Sequence, residues 1–286
     1  MLRPSSNPGA AAMAVTGLDA PKDVLVACET PVEVRGGIEG APCRDLVAEE
    51  VPVAMVYNGV SHAVMMASPC DLEDFAFGFS LTEGILDRPE QLFHLYAVVS
   101  EQGISLEMHI AGDCFARLRE QRRNMAGRTG CGLCGTESLA HAIRAIPRVP
   151  ARPAPVDKAV QRALRNLPTY QPLQEKTGAT HGAAWCDNQG RIQQAREDVG
   201  RHNALDKLIG ARIRDHGARA FDDGFVLISS RASYEMVQKS ATVGVSSLIA
   251  VSAATALAIR EARKAGMTLI GFARPGRHVI YVRGDE

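Results

Sequence analysis

The chain has 286 residues, and its 32 basic and 32 acidic side chains give no formal net charge at pH 7. Hydrophobic residues make up 46% of the sequence and charged residues 22%, which is typical of a folded globular protein and excludes disorder throughout the chain. At roughly 150 residues per domain, the length predicts two domains. The zero net charge argues against broad electrostatic binding to nucleic acid or to anionic membranes, although basic patches can persist locally.

The N-terminal residues 1–22 contain one arginine and a short, interrupted alanine run, so we interpret them as a flexible tail and not as a signal peptide. An uncharged stretch between Lys239 and Arg260 is long enough to span a bilayer. Its many hydroxyl side chains favour a buried strand and helix instead, because polar groups are costly in a membrane. We therefore expect no membrane association.

Short strands dominate residues 23–66, where stretches rich in Val, Met and Tyr alternate with Gly, Pro and Asn. A helix follows, with Ser68 predicted as its N-cap, Pro69 as its first residue and Gly84 at its end. A hairpin and a short second helix come next. These elements together predict a smaller N-terminal α+β domain over residues 23–126.

Residues 127–135 contain four glycines in nine positions, which is too many for a stable helix, and they are predicted to form a mobile loop. A helix capped by Thr136 and a proline-rich connector follow this loop. From residue 181 onward strands alternate with helices, a pattern that predicts a largely parallel sheet covered by helices on both faces. Residues 136–286 are therefore predicted to form an α/β domain, which makes the chain a two-part α/β protein.

The seven cysteines are odd in number and too scattered for a disulfide framework. Only Cys131 and Cys134 lie close together, as a Cys-x-x-Cys pair on the glycine-rich loop. A chain with scattered cysteines and one close pair suits a reducing compartment, so we expect a cytoplasmic protein.

Four interpretations of the Cys-x-x-Cys pair are open from the residues alone. Structural zinc needs four ligands, and the sequence offers no second cysteine pair. Thioredoxin-like exchange places its motif directly between a strand and a helix, whereas a basic helix precedes this pair. A persulfide carrier is the third interpretation, because Arg128 and the helix beginning at Thr136 can both lower a thiol pKa. In the fourth, the two cysteines are simply tolerated in a loop.

Three polar segments follow predicted strands, at residues 197–207, 229–235 and 271–277. Ligands of parallel α/β sheets bind at the carboxyl ends of strands, and helix N-termini there favour anions. Serine and arginine side chains at these positions suit phosphate, and two arginines around a Pro-Gly turn suit phosphate or a nucleobase edge.

Each of these segments also has a simpler interpretation. The first is then a solvated helix with ion pairs such as Asp206–Lys207, the second a helix cap with Glu235 and Lys239 as a surface pair, and the third a basic turn. A single histidine, His181, completes the candidates, although a histidine in isolation is more often structural than catalytic.

These motifs, taken together and in order, resemble those of the FdhD/NarQ family, the accessory sulfurtransferases of formate dehydrogenase. The resemblance covers roughly residues 23–284. It includes the segments SPCDLEDFAFGFSLTEGI, GCGLC, EDVGRHNALDKLIG, SRASYEMVQK and GFARPGR with a later YV. Two departures are visible: residues 177–181 are TGATH where the family usually has TGGTH, and residues 252–255 are SAAT where it usually has SAPT. Neither departure removes a thiol or a charged group, so only the local backbone is in question.

The resemblance implies a sulfurtransferase that takes persulfide sulfur from a cysteine desulfurase. The sulfur is delivered to the molybdenum of the bis(molybdopterin guanine dinucleotide) cofactor, which is bound as a substrate and then passes to formate dehydrogenase. By the same resemblance Cys131 carries the persulfide, and Cys134 assists transfer or resolves the intermediate. The implied cofactor-binding residues form one turn: Phe272, Ala273, Arg274, Pro275, Gly276 and Arg277.

The resemblance also implies a homodimer and a cytidine deaminase-like three-layer fold for residues 136–286, without the deaminase zinc signature. No tightly held metal and no nucleic-acid partner are expected. Two alternatives stay open: a molybdenum-cofactor chaperone without sulfur chemistry, and a Cys-x-x-Cys thiol oxidoreductase. From residue chemistry, Arg231, Arg274 and Arg277 at strand ends suit the phosphates of such a cofactor. The sequence assigns no role to four nearby polar residues: His181, Asp198, Arg201 and His202.

Overall fold

The computed structural model describes residues 25–32, 43–126 and 144–284, which form three β-sheets with helices packed against them. The strands are β1 (Ala27–Val32), β2 (Cys43–Ala48), β3 (Val51–Tyr57), β4 (Val60–Ala67), β5 (Leu92–Ser100), β6 (Gly103–Ile110), β7 (His181–Asp187), β8 (Ile192–Asp198), β9 (Gly224–Ile228), β10 (Ser247–Ala250), β11 (Thr268–Arg274) and β12 (Arg277–Val282). The α-helices are α1 (Leu72–Thr82), α2 (Gly112–Ala126), α3 (Asp157–Asn166), α4 (Pro172–Thr177), α5 (Arg201–His216), α6 (Tyr234–Thr242) and α7 (Ala256–Ala265). Single 3-10 turns occur at Pro89–Gln91, Leu167–Tyr170 and Gly217–Arg219.

Three of the sequence-based predictions lie outside the described residues: the tail 1–22, the loop 127–135 with Cys131 and Cys134, and the helix start at Thr136. The predicted division into domains 23–126 and 136–286 stays a prediction. Strand β2, which pairs antiparallel with β1, was not among the strands predicted from the sequence.

The N-terminal half contains a four-stranded sheet in the order β4-β3-β6-β5. Residues with period-two spacing on β3 and β6, such as Met55 and Leu106, are fully buried, because this face of the sheet packs on α1 and α2. Phe75 and Phe79 of α1 meet edge to face, with ring centroids 6.0 Å apart, within the same core. Helix α1 therefore covers the sheet with its aromatic side.

The C-terminal half contains a six-stranded sheet in the order β12-β11-β10-β9-β7-β8. Strands β9, β10 and β11 are parallel, as the alternating pattern predicts. The expectation of a largely parallel sheet needs correction at both sides, since β7 is antiparallel to β8 and β9, and β12 is antiparallel to β11. Short connections explain the difference, because β7–β8 and β11–β12 are hairpins with no crossover helix between them.

Helices lie on both faces of the six-stranded sheet, as predicted. Alternate residues of one strand show this: Val226 of β9 packs with α5, α6 and α7, whereas Leu227 packs with α3 on the opposite face. The arrangement is a three-layer α/β/α stack. The uncharged stretch considered above as a membrane span forms the end of α6, strand β10 and the start of α7. Within the described ranges, no helix is long and apolar enough to cross a membrane.

Helices α1 and α5 cross in direct backbone contact and so join the two halves. A Cβ atom added to Gly78 would overlap the carbonyl oxygen of Asp206, and one added to Gly210 would overlap that of Asp74. Only glycine fits at either position, because the nearest atoms belong to the backbone of the facing helix. The first half of the chain is thereby held against the helix that follows β8.

Replacing Gly78 with Ala is expected to lower the free energy of unfolding by about 2 kcal/mol, because the clash outweighs a gain of about 1 kcal/mol in helix propensity. Gly112→Ala is the matched control, since a Cβ there meets nothing within 4 Å. Urea denaturation of both variants measures the difference. A Gly78→Ala protein as stable as the Gly112→Ala protein would show that the helices do not cross this closely.

Candidate functional site

The carboxyl ends of β8, β9, β10 and β11 and the amino end of the antiparallel strand β7 lie at one edge of the six-stranded sheet. A row of backbone hydrogen bonds runs along this edge, from Ser229 N to Gly182 O (2.9 Å), from Ser252 N to Ser230 O (3.4 Å) and from Phe272 N to Ser252 O (2.9 Å). We call this the carboxyl edge and define it by the following residues: His181, 198–202, 229–235, 252–255 and 271–277. It contains every sequence-predicted site residue except Cys131 and Cys134, which lie outside the described residues.

Three helices begin at the carboxyl edge, and two of them lack a side-chain cap. Thr255 caps α7 by accepting a hydrogen bond from Ala258 N at 3.2 Å. Helix α5 follows Gly200 and α6 follows Ser233, and neither N-cap residue makes a side-chain capping bond. The first N–H groups of α5 and α6 therefore give the edge a positive field.

Unpaired arginines add to this field. Elsewhere arginines form ion pairs with carboxylates. For example, Arg196 and Arg214 both bind Asp74, at 2.7 and 2.5 Å. Across the described ranges, four arginine side chains of the carboxyl edge contact no carboxylate: Arg201, Arg231, Arg274 and Arg277. Cationic groups left without an internal partner at a sheet edge suit an anionic ligand.

The predicted turn 272–277 is held in place by a residue that the sequence analysis missed. Gln161 of α3 accepts from Gly276 N at 2.7 Å and donates to Arg274 O at 3.1 Å. Phe272 has a φ of 47° and is 39% exposed, whereas Ala273 is buried. A left-handed conformation is costly for an aromatic residue, about 1–3 kcal/mol, and such strain is concentrated at binding sites. The turn therefore presents one ring and two arginines outward from a fixed backbone.

Asp198 is the structural anchor of this edge. Its carboxylate is fully buried, lies 2.7 Å from Nζ of Lys207 and accepts hydrogen bonds from Ser68 N (3.0 Å) and Gly200 N (2.7 Å). Lys207 Nζ also donates to Ser68 O at 2.9 Å. These bonds fix the turn between β8 and α5.

Two sequence-based interpretations are wrong here because long-range bonds replace local ones. Ser68 is not the N-cap of α1; Asp71 occupies that position, and Ser68 Oγ accepts from Val199 N at 3.1 Å instead. Asp206 and Lys207 do not form a solvated ion pair, since both are buried and bind other partners. Gly84 does follow the end of α1, as predicted, and has a left-handed φ of 66°.

The expected surface pair Glu235–Lys239 is also wrong. Lys239 is buried and lies 2.8 Å from the carboxylates of both Asp206 and Glu83. Burial alone would lower the pKa of Lys239, but these two carboxylates raise it, so the ammonium stays charged. Glu235 points instead toward His202, with 2.7 Å between Oε2 and Nε2.

Both histidines of the edge have lowered pKa values. Burial lowers the pKa of His181, Arg201 lowers it further, and Asp198 opposes the shift. Burial also lowers the pKa of His202, supported by Arg201 and opposed by Glu235. Neutral imidazoles at pH 7 can donate from one ring nitrogen and accept at the other.

The two departures from the family pattern leave the turns regular. Gly178 supplies the left-handed φ of 68° before β7, whereas Ala179 has no positive φ. Thr255 of the second departure still caps α7. Within the parts of the chain that the structure describes, no group of three or more His, Cys, Asp or Glu side chains is placed to hold a metal ion.

The fold and the edge define the class: a mixed α/β protein with unpaired arginines gathered at the carboxyl ends of its strands. Residues 48–286 match the FdhD/NarQ family, so the chain belongs to that family.

Two relatives named sulfur carrier protein FdhD cover most of the chain. The one from Bordetella petrii is 54% identical over 87% of this chain and 90% of its own length. The one from Variovorax paradoxus is 51% identical over 88% of this chain and 90% of its own length. A crystal structure described as a formate dehydrogenase accessory protein, from Desulfotalea psychrophila, superposes with a TM-score of 0.66 at 25% identity, over 90% of this chain and 96% of the other.

Replacing Lys207 with Met leaves the Asp198 carboxylate buried without its cation, and we expect a loss of about 3–5 kcal/mol in the free energy of unfolding. Lys264→Met is the matched control, because the Lys264 side chain is 70% exposed in its pair with Glu261 and should contribute less than about 1 kcal/mol. Chemical denaturation at pH 7 compares the two variants. Equal losses would mean that the buried pair does not anchor the edge.

Proposed function

We propose that this chain is a sulfur carrier that serves the maturation of formate dehydrogenase. The observation that carries the proposal is family membership together with 51–54% identity to proteins named sulfur carrier protein FdhD. The structural likeness to a protein described as a formate dehydrogenase accessory protein supports the link to that enzyme.

We propose that Cys131 carries the sulfur as a persulfide. Its thiolate attacks the outer sulfur of a cysteine desulfurase persulfide, the donor S–S bond breaks, and the donor cysteine leaves as a thiolate. Supporting this role, burial raises the pKa values of Cys70, Cys114 and Cys186, which makes them poor nucleophiles at neutral pH. Cys134 then assists transfer or resolves the persulfide.

We propose that the outer sulfur of the Cys131 persulfide is then transferred to the acceptor cofactor. The S–S bond at Cys131 breaks, and its electron pair stays with the Cys131 sulfur, which becomes a thiolate again. The outer sulfur is transferred as a neutral atom, and the two electrons that reduce it to sulfide would come from the acceptor cofactor in its reduced Mo(IV) state, which would become Mo(VI).

We propose that the turn from Phe272 to Arg277 holds the bis(molybdopterin guanine dinucleotide) cofactor as a substrate, with Arg231 assisting. The exposed Phe272 ring suits stacking on a guanine base, and the guanidinium groups suit its phosphates. The buried Ala273 and the Gln161 contacts keep this turn in one conformation. The strained φ at Phe272 is consistent with a binding role.

The finer features of the fold belong to the same proposal. We assign residues 136–286 to a cytidine deaminase-like domain and residues 23–126 to a smaller α+β domain, and the three-layer stack around the six-stranded sheet supports this assignment. A homodimer, a cysteine desulfurase partner and a cytoplasmic location remain predictions of the family resemblance.

Cys131→Ala should abolish production of active formate dehydrogenase, because the sulfur has no carrier. Cys28→Ala, which removes a half-buried free cysteine on β1, should retain full activity. Coexpression of each variant with the dehydrogenase, followed by an activity assay, measures this. Full activity of a Cys131→Ala/Cys134→Ala protein would support a cofactor chaperone instead, and reversible reduction of a disulfide test substrate would support an oxidoreductase.

Arg274→Ala and Arg277→Ala should each weaken cofactor binding about tenfold or more, since each removes charge-assisted hydrogen bonds to phosphate. Persulfide loading of Cys131 should be unaffected. Arg165→Ala, at the exposed C-terminal turn of α3, serves as the control. Unchanged cofactor affinity in the turn variants would exclude this turn as the binding site.

A further inference from the structure

Three polar groups at the starts of α5 and α6 lack the partners that buried groups normally have. Nε of Arg201 and Oγ of Ser233 are buried, and neither has a hydrogen-bond partner among the described residues. Ser233 occupies an N-cap position without capping. Nε2 of His202 also makes no aligned hydrogen bond there, although Glu235 lies 2.7 Å away. Buried donors without partners are unfavourable, so a missing acceptor is indicated.

These groups lie at the adjoining starts of two helices. Arg201 and His202 are the first two residues of α5, and Ser233 and Glu235 flank the first residue of α6. The contact between His202 and Glu235 brings the two helix starts together. Arg201 is also close enough to His181 and His202 to lower the pKa of each. Arg201, His202 and Ser233 therefore lie at adjoining helix starts that the His202–Glu235 contact joins.

The charges around His202 favour an anion here. The groups that act on it are Arg201, Lys239, Glu235 and Glu83, of which Lys239 and Glu83 pair with each other. Arg201 contacts no carboxylate in the described ranges, and the Glu235 side chain is 56% exposed. Glu235 is thus the carboxylate in direct contact with His202, and an exposed side chain can swing away into solvent.

We propose that Arg201, His202 and Ser233 form a phosphate subsite and that the carboxylate of Glu235 occupies its place in the free protein. The inference rests on the proposed function, because it supplies a site for a diphosphate of the nucleotide cofactor beyond the turn 272–277. The uncapped N–H groups of α5 and α6 add to the positive field, but the three side chains define the subsite. Glu235 is an internal competitor for the ligand.

Isothermal titration of the full chain with inorganic pyrophosphate at pH 7 tests the proposal. Arg201→Gln should weaken binding about tenfold or more, because a charged hydrogen-bond donor is lost. Glu235→Gln should tighten binding several-fold, because the competing charge is removed. Arg263→Gln, in the exposed last turn of α7 at the opposite end of that helix, is the control and should bind like the wild type.

Wild-type affinity in Arg201→Gln, or no gain in Glu235→Gln, would overturn the proposal. Ser233→Ala provides a second variant if Arg201→Gln fails to fold, and it should weaken binding a few-fold; unchanged binding counts against the subsite. Guanosine diphosphate should rank the variants in the same order, because it carries the same phosphates, and a different order would also contradict the assignment.

The test of the phosphate subsite can fail or succeed independently of the test of sulfur carriage. Pyrophosphate binding needs no thiol, so Cys131→Ala should bind it with wild-type affinity. If Cys131→Ala still yields active formate dehydrogenase while the pyrophosphate ranking holds, sulfur carriage fails and the subsite stands. The reverse pattern would refute the subsite alone.

Discussion

The backbone contact between α1 and α5 at Gly78 and Gly210 is the constraint on which the placement of the buried ion pairs and of the carboxyl edge depends. Two helices that touch through their backbones leave no room for side chains at the crossing, so neighbouring polar residues are sealed from water. Each must then find a partner within the protein, because an unpaired buried charge is strongly unfavourable. Lys207 and Lys239 meet this requirement through Asp198 and Asp206.

These ion pairs fix the positions of the two helix starts at the carboxyl edge. Asp198 holds Gly200 N at the start of α5, and Lys239 ties α6 to α5 through Asp206. The first turns of both helices are therefore fixed at one place. The buried charges of these two pairs have internal partners, whereas the four arginines of the edge do not. This contrast separates groups that stabilise the fold from groups left available to a ligand.

Sequence patterns predicted the elements whose signal is local. The alternation of strands and helices after residue 181 gave the central parallel strands and the helices on both faces, because short-range periodicity determines these. The pairings of β7 with β9 and of β2 with β1 join strands that no short turn links in the sequence, so local patterns do not reveal them. The strand pattern placed the turn 272–277 correctly at a strand end, whereas the resemblance supplied its role in binding, which is a proposal.

The contacts missed from the sequence join residues far apart in the chain. Ser68 bonds to Asp198 across 130 positions, and Lys239 to Glu83 across 156. Rules for residues close in sequence therefore suggested the ion pairs Asp206–Lys207 and Glu235–Lys239, and both predictions were wrong. One signal was present: polar residues on nearly every face at the start of α5 suggested more than a packing helix. Gln161 had no such signal, because its partners are backbone atoms of a distant turn.

Mass spectrometry of the intact protein after incubation with a cysteine desulfurase and cysteine, followed by peptide mapping, tests sulfur carriage most directly. The account predicts one additional sulfur, removable by reductant, on the peptide that contains Cys131. No added sulfur in the presence of an active desulfurase, or sulfur on another cysteine only, would contradict it.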